Sequence, residues 1–295
     1  MNEILAQVWV EHITRLRLGI EPADAFGRPG PIAGLGVFSE NVPRPHPVPR
    51  RQGREEDAIG LPGVRRNSSG RFAIAFTARD AAAGGAQVRL DVRVVDQGRR
   101  YVPRRLSVPV PSLADVLAAD KAHDNDPAVP LAPRGCRPRL FPGADYGTQA
   151  GATIVKGRAT WGPGGPPVQW ARVEATAHGA IQAGPWRAHG DDRGEFLLVV
   201  GSLPIMQAQQ RSLTVDLDIV VRARPVPPPD TPIDSPAQSR SDPLWHLPVE
   251  SLATLDPADP VGAGEVLPAG FTSVTSRLVT CRRGRPTRPL PFVLN

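Results

Sequence analysis

Proline occupies 35 of the 295 positions, and this decides what the chain can fold into. A proline ring fixes φ and removes a backbone donor, so helix interiors and central strands exclude it. Glycine adds 29 further positions suited to turns. Between these breakers only short segments remain, which favours many short strands over long helices. Hydrophobic residues make up 40% of the chain and can fill a core. Aromatic residues make up only 5%, so that core has to be built mainly from Val, Leu, Ile and Ala. The expectation is an all-β protein: two small antiparallel β-sandwich modules with a long irregular connector and a proline-rich C-terminal arm.

Period-2 alternation marks the strands. It is clearest at 88–95, where Val88, Leu90, Val92 and Val94 alternate with Arg89, Asp91 and Arg93. The apolar set is expected to face a core and the charged set water. Strands are also predicted within 5–20, 32–42, 71–76 and 101–111, the last as an edge strand because it carries prolines. These make a first module over 5–111, interrupted by a basic, proline-rich insertion at 43–66. Residues 112–150 read as a connector with one short helix, for which Ser112 is the N-cap and Asp115 the capping-box acid. A second module over 151–224 has strands at 153–160, 168–177, 182–186, 195–200 and 213–223. Residues 225–295 read as an extended arm, polyproline-like over its first part.

Two segments repeat one pattern. Asn67-Ser-Ser-Gly70-Arg-Phe72-Ala-Ile74 and Asp191-Asp-Arg-Gly194-Glu-Phe196-Leu-Leu198 both place a glycine turn directly before a strand that opens on phenylalanine. The glycine can take φ > 0, and the phenylalanine and alternate residues after it face a core. A Gly-Pro turn and a strand lie upstream of each copy. This arrangement resembles the carboxypeptidase regulatory-like domain, a transthyretin-like β-sandwich of about seven strands with a turn of the form xDxxGxF. The second module carries it in Gly157, Pro166-Pro-Val168, Ala171-Arg-Val173 and Asp192-Arg-Gly194-Glu-Phe196. The first module has Asn67-Ser68-Ser69 where the family has its aspartate. The resemblance implies a structural or adhesive module rather than a catalyst, with no cofactor.

The clusters that could carry chemistry have simpler explanations. His189-Gly-Asp191-Asp192 offers metal-ligating groups, but the turn pattern accounts for its acids. His123-Asp-Asn-Asp126 lacks the glycine and terminal glutamate of a calcium loop and is followed by Pro127. No G-x-S-x-G motif surrounds a serine. Catalytic, cofactor and metal residues are therefore expected to be none. Trp161, Trp170 and Trp186 fall in one module, and are read as core or interface anchors ahead of a sugar-stacking platform. Carbohydrate binding is kept as the alternative function.

The net charge is +6, and 33 of the 35 basic residues are arginine. They are scattered rather than gathered in a stripe, so nucleic acid is not the expected partner. The expected partners are other protein subunits of a large assembly. In overall style, sandwiches joined to arginine- and proline-rich arms resemble accessory components of phage-tail-like contractile injection particles. Trp245, Leu247, Phe271 and Phe292 are the expected apolar anchors on such neighbours, with Arg282, Arg283 and Arg285 supplying orientation. The N-terminus has no apolar run of signal-peptide type, so a cytoplasmic location is expected. Cys136 and Cys281 are far apart, and the sequence leaves open whether they pair.

Overall fold

The structure is a computed structural model that describes residues 15–26, 32–40, 64, 66–67, 71–77, 89–132, 134–148, 150–178, 185–200, 214–225, 244, 247–252 and 267–295. The strand start expected at 5–14, nearly all of the insertion 43–66, the polyproline-like stretch from 226 and Trp245 lie outside these residues. The described chain is all-β apart from one helix. Its elements in order are β1 (Arg15–Ile20), β2 (Ala23–Asp24), β3 (Leu35–Ser39), β4 (Phe72–Thr77), β5 (Arg89–Asp96), β6 (Arg104–Pro109), α1 (Leu113–Asn125), β7 (Gly135–Cys136) and β8 (Arg139–Leu140). There follow β9 (Thr153–Trp161), β10 (Arg172–Ala177), β11 (Trp186–His189), β12 (Glu195–Val200), β13 (Thr214–Ala223), β14 (Val249–Ser251), β15 (Ser273–Arg282) and β16 (Leu290–Leu294).

These strands form two sandwiches. The first sets β4-β1-β7 against β14-β6-β5-β3. Leu18, Ile20, Phe72, Ile74, Leu90, Val92, Val94, Leu106 and Val108 meet between the two sheets. The second sets β12-β9-β16 against β11-β10-β13-β15. Its core takes Val155, Val173, Phe196, Leu198, Leu217, Ile219, Val221 and Phe292. Within a strand these core residues lie two apart, as the pleat requires.

The repeat read from two short turns extends to six strands of each module, the fourth strand of the larger sheet being added at opposite edges, β14 beside β6 and β11 beside β10. In the first module β1 pairs antiparallel with β4 and parallel with β7, while β3-β5-β6 form the facing sheet. In the second, β9 pairs antiparallel with β12 and parallel with β16, while β10-β13-β15 form the facing sheet. Even the turns share their hydrogen bonds. Asn67 Oδ1 accepts from the Arg71 N–H at 2.9 Å, and Asp191 Oδ1 from the Glu195 N–H at 2.8 Å. The backbone closes the same way, Asn67 N–H to Arg71 O at 2.8 Å and Asp191 N–H to Glu195 O at 2.9 Å. The acid that builds the second turn is therefore Asp191; Asp192, assigned to the motif from sequence, is exposed.

Other expectations need correction. The connector 112–150 is part of the first sandwich, because β7 and β8 extend a parallel ladder beside β1 and β2. Its helix carries the expected Ser112–Asp115 capping box but runs on to Asn125. The stretch 225–295 is not simply an arm, since β15 and β16 are integral strands of the second sandwich and β14 completes the first. β15 escaped detection because apolar residues sit at 274, 278, 279 and 281, without clean alternation, on a strand paired, among the described residues, along one side only. β6, expected at an edge, is interior because β14 covers it. Arg93, expected to face water, is buried and paired with Glu40, which also pairs Arg105. The two cysteines are free thiols in separate cores, and burial pushes the Cys136 thiol up to about 12.

Both tyrosines of the chain converge on Asp24. Tyr101 and Tyr146 donate to Asp24 Oδ2 at 2.7 and 2.8 Å, with their rings edge-on 5.5 Å apart. Removing the carboxylate takes one shared acceptor from two buried hydroxyls, so Asp24→Ala should lose about 2–4 kcal/mol in urea unfolding. A midpoint within error of wild type would show that the hydroxyls find other acceptors.

Candidate functional site: a buried ionic junction

Among the described residues, buried charge gathers most where the two modules meet. β6 of the first module brings Arg104 to this point and β10 of the second brings Arg172. Between them stands Glu250, on β14. Arg104 donates to Glu250 through Nε at 3.2 Å and through Nη2 to the other carboxylate oxygen. Arg172 Nη2 donates to Glu250 Oε1 at 3.0 Å. Relative exposures of 1% for Arg104, 3% for Glu250 and 8% for Arg172 put the triad out of water.

Two guanidinium groups against one carboxylate leave a net positive charge in a dry place, which is costly unless other groups share it. Backbone carbonyls take part of it: Arg104 donates to Arg139 O and Arg172 to Trp170 O, the latter at 2.9 Å. Aromatic faces take more. Arg104 lies 5.7 Å from the Phe141 ring centre, and Arg172 and Arg224 lie 5.5 and 5.6 Å from that of Phe271. Val102, Trp170 and Leu247 form an apolar cluster that joins the modules.

His189 stands beside the triad, 6% exposed, stacked on Phe141 at 3.9 Å between ring centres. Burial holds its pKa well below 6.5, and Arg172, Arg104 and Arg187 add repulsion. Glu250 moves the other way from its burial. Desolvation works to raise it, but Arg104 and Arg172 outweigh this and hold it below the usual carboxylate range. Desolvation lowers Arg172, with Glu250 opposing. The cluster is one carboxylate held ionised and one imidazole held neutral.

Among the expected partner-binding residues, Leu247 packs in this junction and Phe271 lies beneath Arg172 and Arg224. Phe292 fills the second core against Phe196, at 5.3 Å between ring centres. All three are held by the chain itself. Arg282, the last residue of β15, is exposed, and on the turn that follows Arg285 is exposed and Arg283 half-buried. Trp245 lies outside the described residues. Trp170 belongs to the junction, and Trp161 and Trp186 are half-buried against the second core. Asp191 is a turn residue, and His123 bonds Val129 O at 2.7 Å near the end of α1. Among the described residues no group of three or more His, Cys, Asp or Glu could hold a metal ion. Sequence reading missed the junction because Arg104, Arg172 and Glu250 have no mutual spacing. The only hint was an acid, Glu250, directly after Val249 in a proline-rich stretch.

A search of protein-family models finds none that matches the chain, and a search of curated proteins finds none either. Among solved structures, shaft pilin SpaA from Lactobacillus rhamnosus GG is similar at 10% identity, covering 96% of this chain and 97% of that one with a TM-score of 0.23. One variant of that pilin gives 8% identity, the same coverage and a TM-score of 0.24. Another gives 10% identity over 72% of this chain and 89% of that one, with a TM-score of 0.21. Likeness at this level adds nothing to the architecture described above. Fold and junction define the class, an all-β protein of two sandwich modules joined by buried charge. Among the described residues, no helix is long and apolar enough to cross a membrane.

Proposed function

We propose that this chain is a non-catalytic structural subunit, whose two sandwiches are locked together so that they hold neighbouring subunits at a fixed relation in a multiprotein assembly. The observation that carries the reading is Glu250 held by one arginine from each module. Perturbed titratable groups in a cleft point to catalysis. Here they are turned toward one another and closed to water, the arrangement of a joint. The second module is read as carboxypeptidase regulatory-like on the strength of its seven described strands and its Asp191–Gly194–Phe196 turn. Its assembly is read as a phage-tail-like contractile injection particle formed in the cytoplasm, supported by the pairing of small sandwiches with arginine- and proline-rich stretches. Isolated natively from its own cells, the 31.5 kDa chain is expected to run in a particle many times that mass. Recovery as a free monomer would overturn the reading.

A further inference from the structure

The second sandwich has one outer strand unlike the rest. β15 is ten residues long and ends its sheet, with β13 on one side and, among the described residues, no strand on the other. The other outer strands of the two sandwiches run two to six residues. Natural sheets protect long outer strands with proline, bulges or charge, because the open N–H and C=O groups invite another strand. β15 contains neither proline nor glycine, and its one mid-strand charge, Arg277, is turned aside to donate to Pro291 O at 3.1 Å. Its outward-facing residues include Val274 and Leu278, which are 55% and 53% exposed.

The strand runs into a turn of uncommitted arginines. Arg93, Arg100, Arg104, Arg134 and Arg172 all make ion pairs. Arg282, Arg283, Arg285 and Arg288 make no side-chain bond or ion pair with the described residues, and Arg283 buries its Nε without an acceptor. Two carboxylates of β13 stand opposite β15 and turn to other partners, Asp216 to the Thr280 hydroxyl and Asp218 to His178 at 2.8 Å. The turn is fixed rather than loose. Gly284 sits at φ +70°, its N–H donates to Thr153 Oγ1 at 2.9 Å, and Thr287 N–H donates to Ile154 O at 2.9 Å.

We infer that the open side of β15 and the arginine turn together form a docking site for an extended acidic segment of a partner protein, which adds to the sheet as a fifth strand. Backbone pairing with β15 supplies the register, apolar side chains of the segment cover Val274 and Leu278, and its carboxylates meet the four guanidinium groups. The chain's charge of +6 is complementary to such a partner. A nucleic acid or a lipid surface would satisfy the arginines but leave the backbone groups of β15 unpaired. This inference rests on the structural reading above and names the chemistry of one neighbour.

The test uses the full chain and a labelled decapeptide of alternating Val and Glu. Saturable binding that weakens with salt is expected. Arg285→Glu with Arg288→Glu should weaken it about tenfold or more, since both charges change sign at the rim. The double change Arg99→Glu with Lys121→Glu, on the other module, should leave it unchanged. The same peptide N-methylated at alternate residues should not bind, because strand addition needs its N–H groups. Undiminished binding of the N-methylated peptide, or equally tight and equally variant-sensitive binding of duplex DNA or phosphatidylserine vesicles, would overturn the inference. If the Arg285→Glu, Arg288→Glu chain enters its native particle at the wild-type level, this docking site falls while the structural reading stands. Absence of any particle even for wild type removes both.

Discussion

Glu250→Ala is expected to lower the unfolding free energy by about 3–5 kcal/mol, the usual cost of leaving a buried charge without its partner. The loss is large because one carboxylate serves two arginines from different modules. Glu250→Gln should recover part of it, since an amide oxygen still accepts a hydrogen bond but carries no charge. Urea unfolding by circular dichroism reads both, and a Glu250→Ala midpoint equal to wild type would contradict the junction.

The same cluster gives the pH dependence its sign. Glu250 has a folded pKa below its unfolded value, so its contribution is present above the unfolded value and is lost as pH falls through the folded one. His189 is a base held neutral, and the unfolded chain takes up its proton near 6.5. Below that pH the unfolded state binds more protons, so stability falls by about 1.4 kcal/mol per pH unit until His189 itself protonates. Both effects weaken the protein in acid, His189 first. His189→Phe should flatten the profile just below pH 6.5 while leaving the loss due to Glu250 in stronger acid.

Gly194→Ala is the second large effect. Gly194 sits at φ +73°, where a side chain costs about 1–2 kcal/mol by itself. A Cβ there would also lie 2.4 Å from the Ala159 carbonyl oxygen and 3.2 Å from the Val168 nitrogen, both backbone atoms that cannot swing away. The Gly194 carbonyl accepts the Ala159 N–H at 2.8 Å, so moving the turn breaks the ladder beside β9. A total loss of about 3–4 kcal/mol is expected from strain and displaced hydrogen bonds together. A thermal midpoint unchanged from wild type would show that the turn relaxes freely.

Sequence pattern revealed whatever was local. The strands around Leu90–Val94 and Leu217–Ile219 were legible because one face is apolar and the other is not. The Ser112 cap and the two glycine turns were legible because side chain and backbone act within four residues. The fate of Arg93 was not, because alternation reports that two faces differ and not what covers the second. The roles of β14, β15 and β16 were hidden for a related reason. Their partners β6, β13 and β9 lie far off in the chain, and composition marks a proline-rich stretch without saying what its intervening apolar residues touch. The junction is the extreme case, as each of its charges reads as ordinary surface until three distant strands are brought together.

The excursion between β13 and β15 has a bearing on how the polypeptide is made. After most of the second sandwich has been synthesised, the chain returns to lay β14 on the first and then goes back for β15 and β16. The two bodies are thus interlaced, the first waiting for β14 and the second for β15 and β16. A nascent chain stalled near residue 225 would expose β6 along one side and the core of the second sandwich along another. Cutting the gene at the apparent boundary near residue 150 would give no self-sufficient halves. Late, long-range closure of this kind folds slowly and leaves sticky edges waiting, which makes the segment from β14 to β16 the part that protects the strands translated before it.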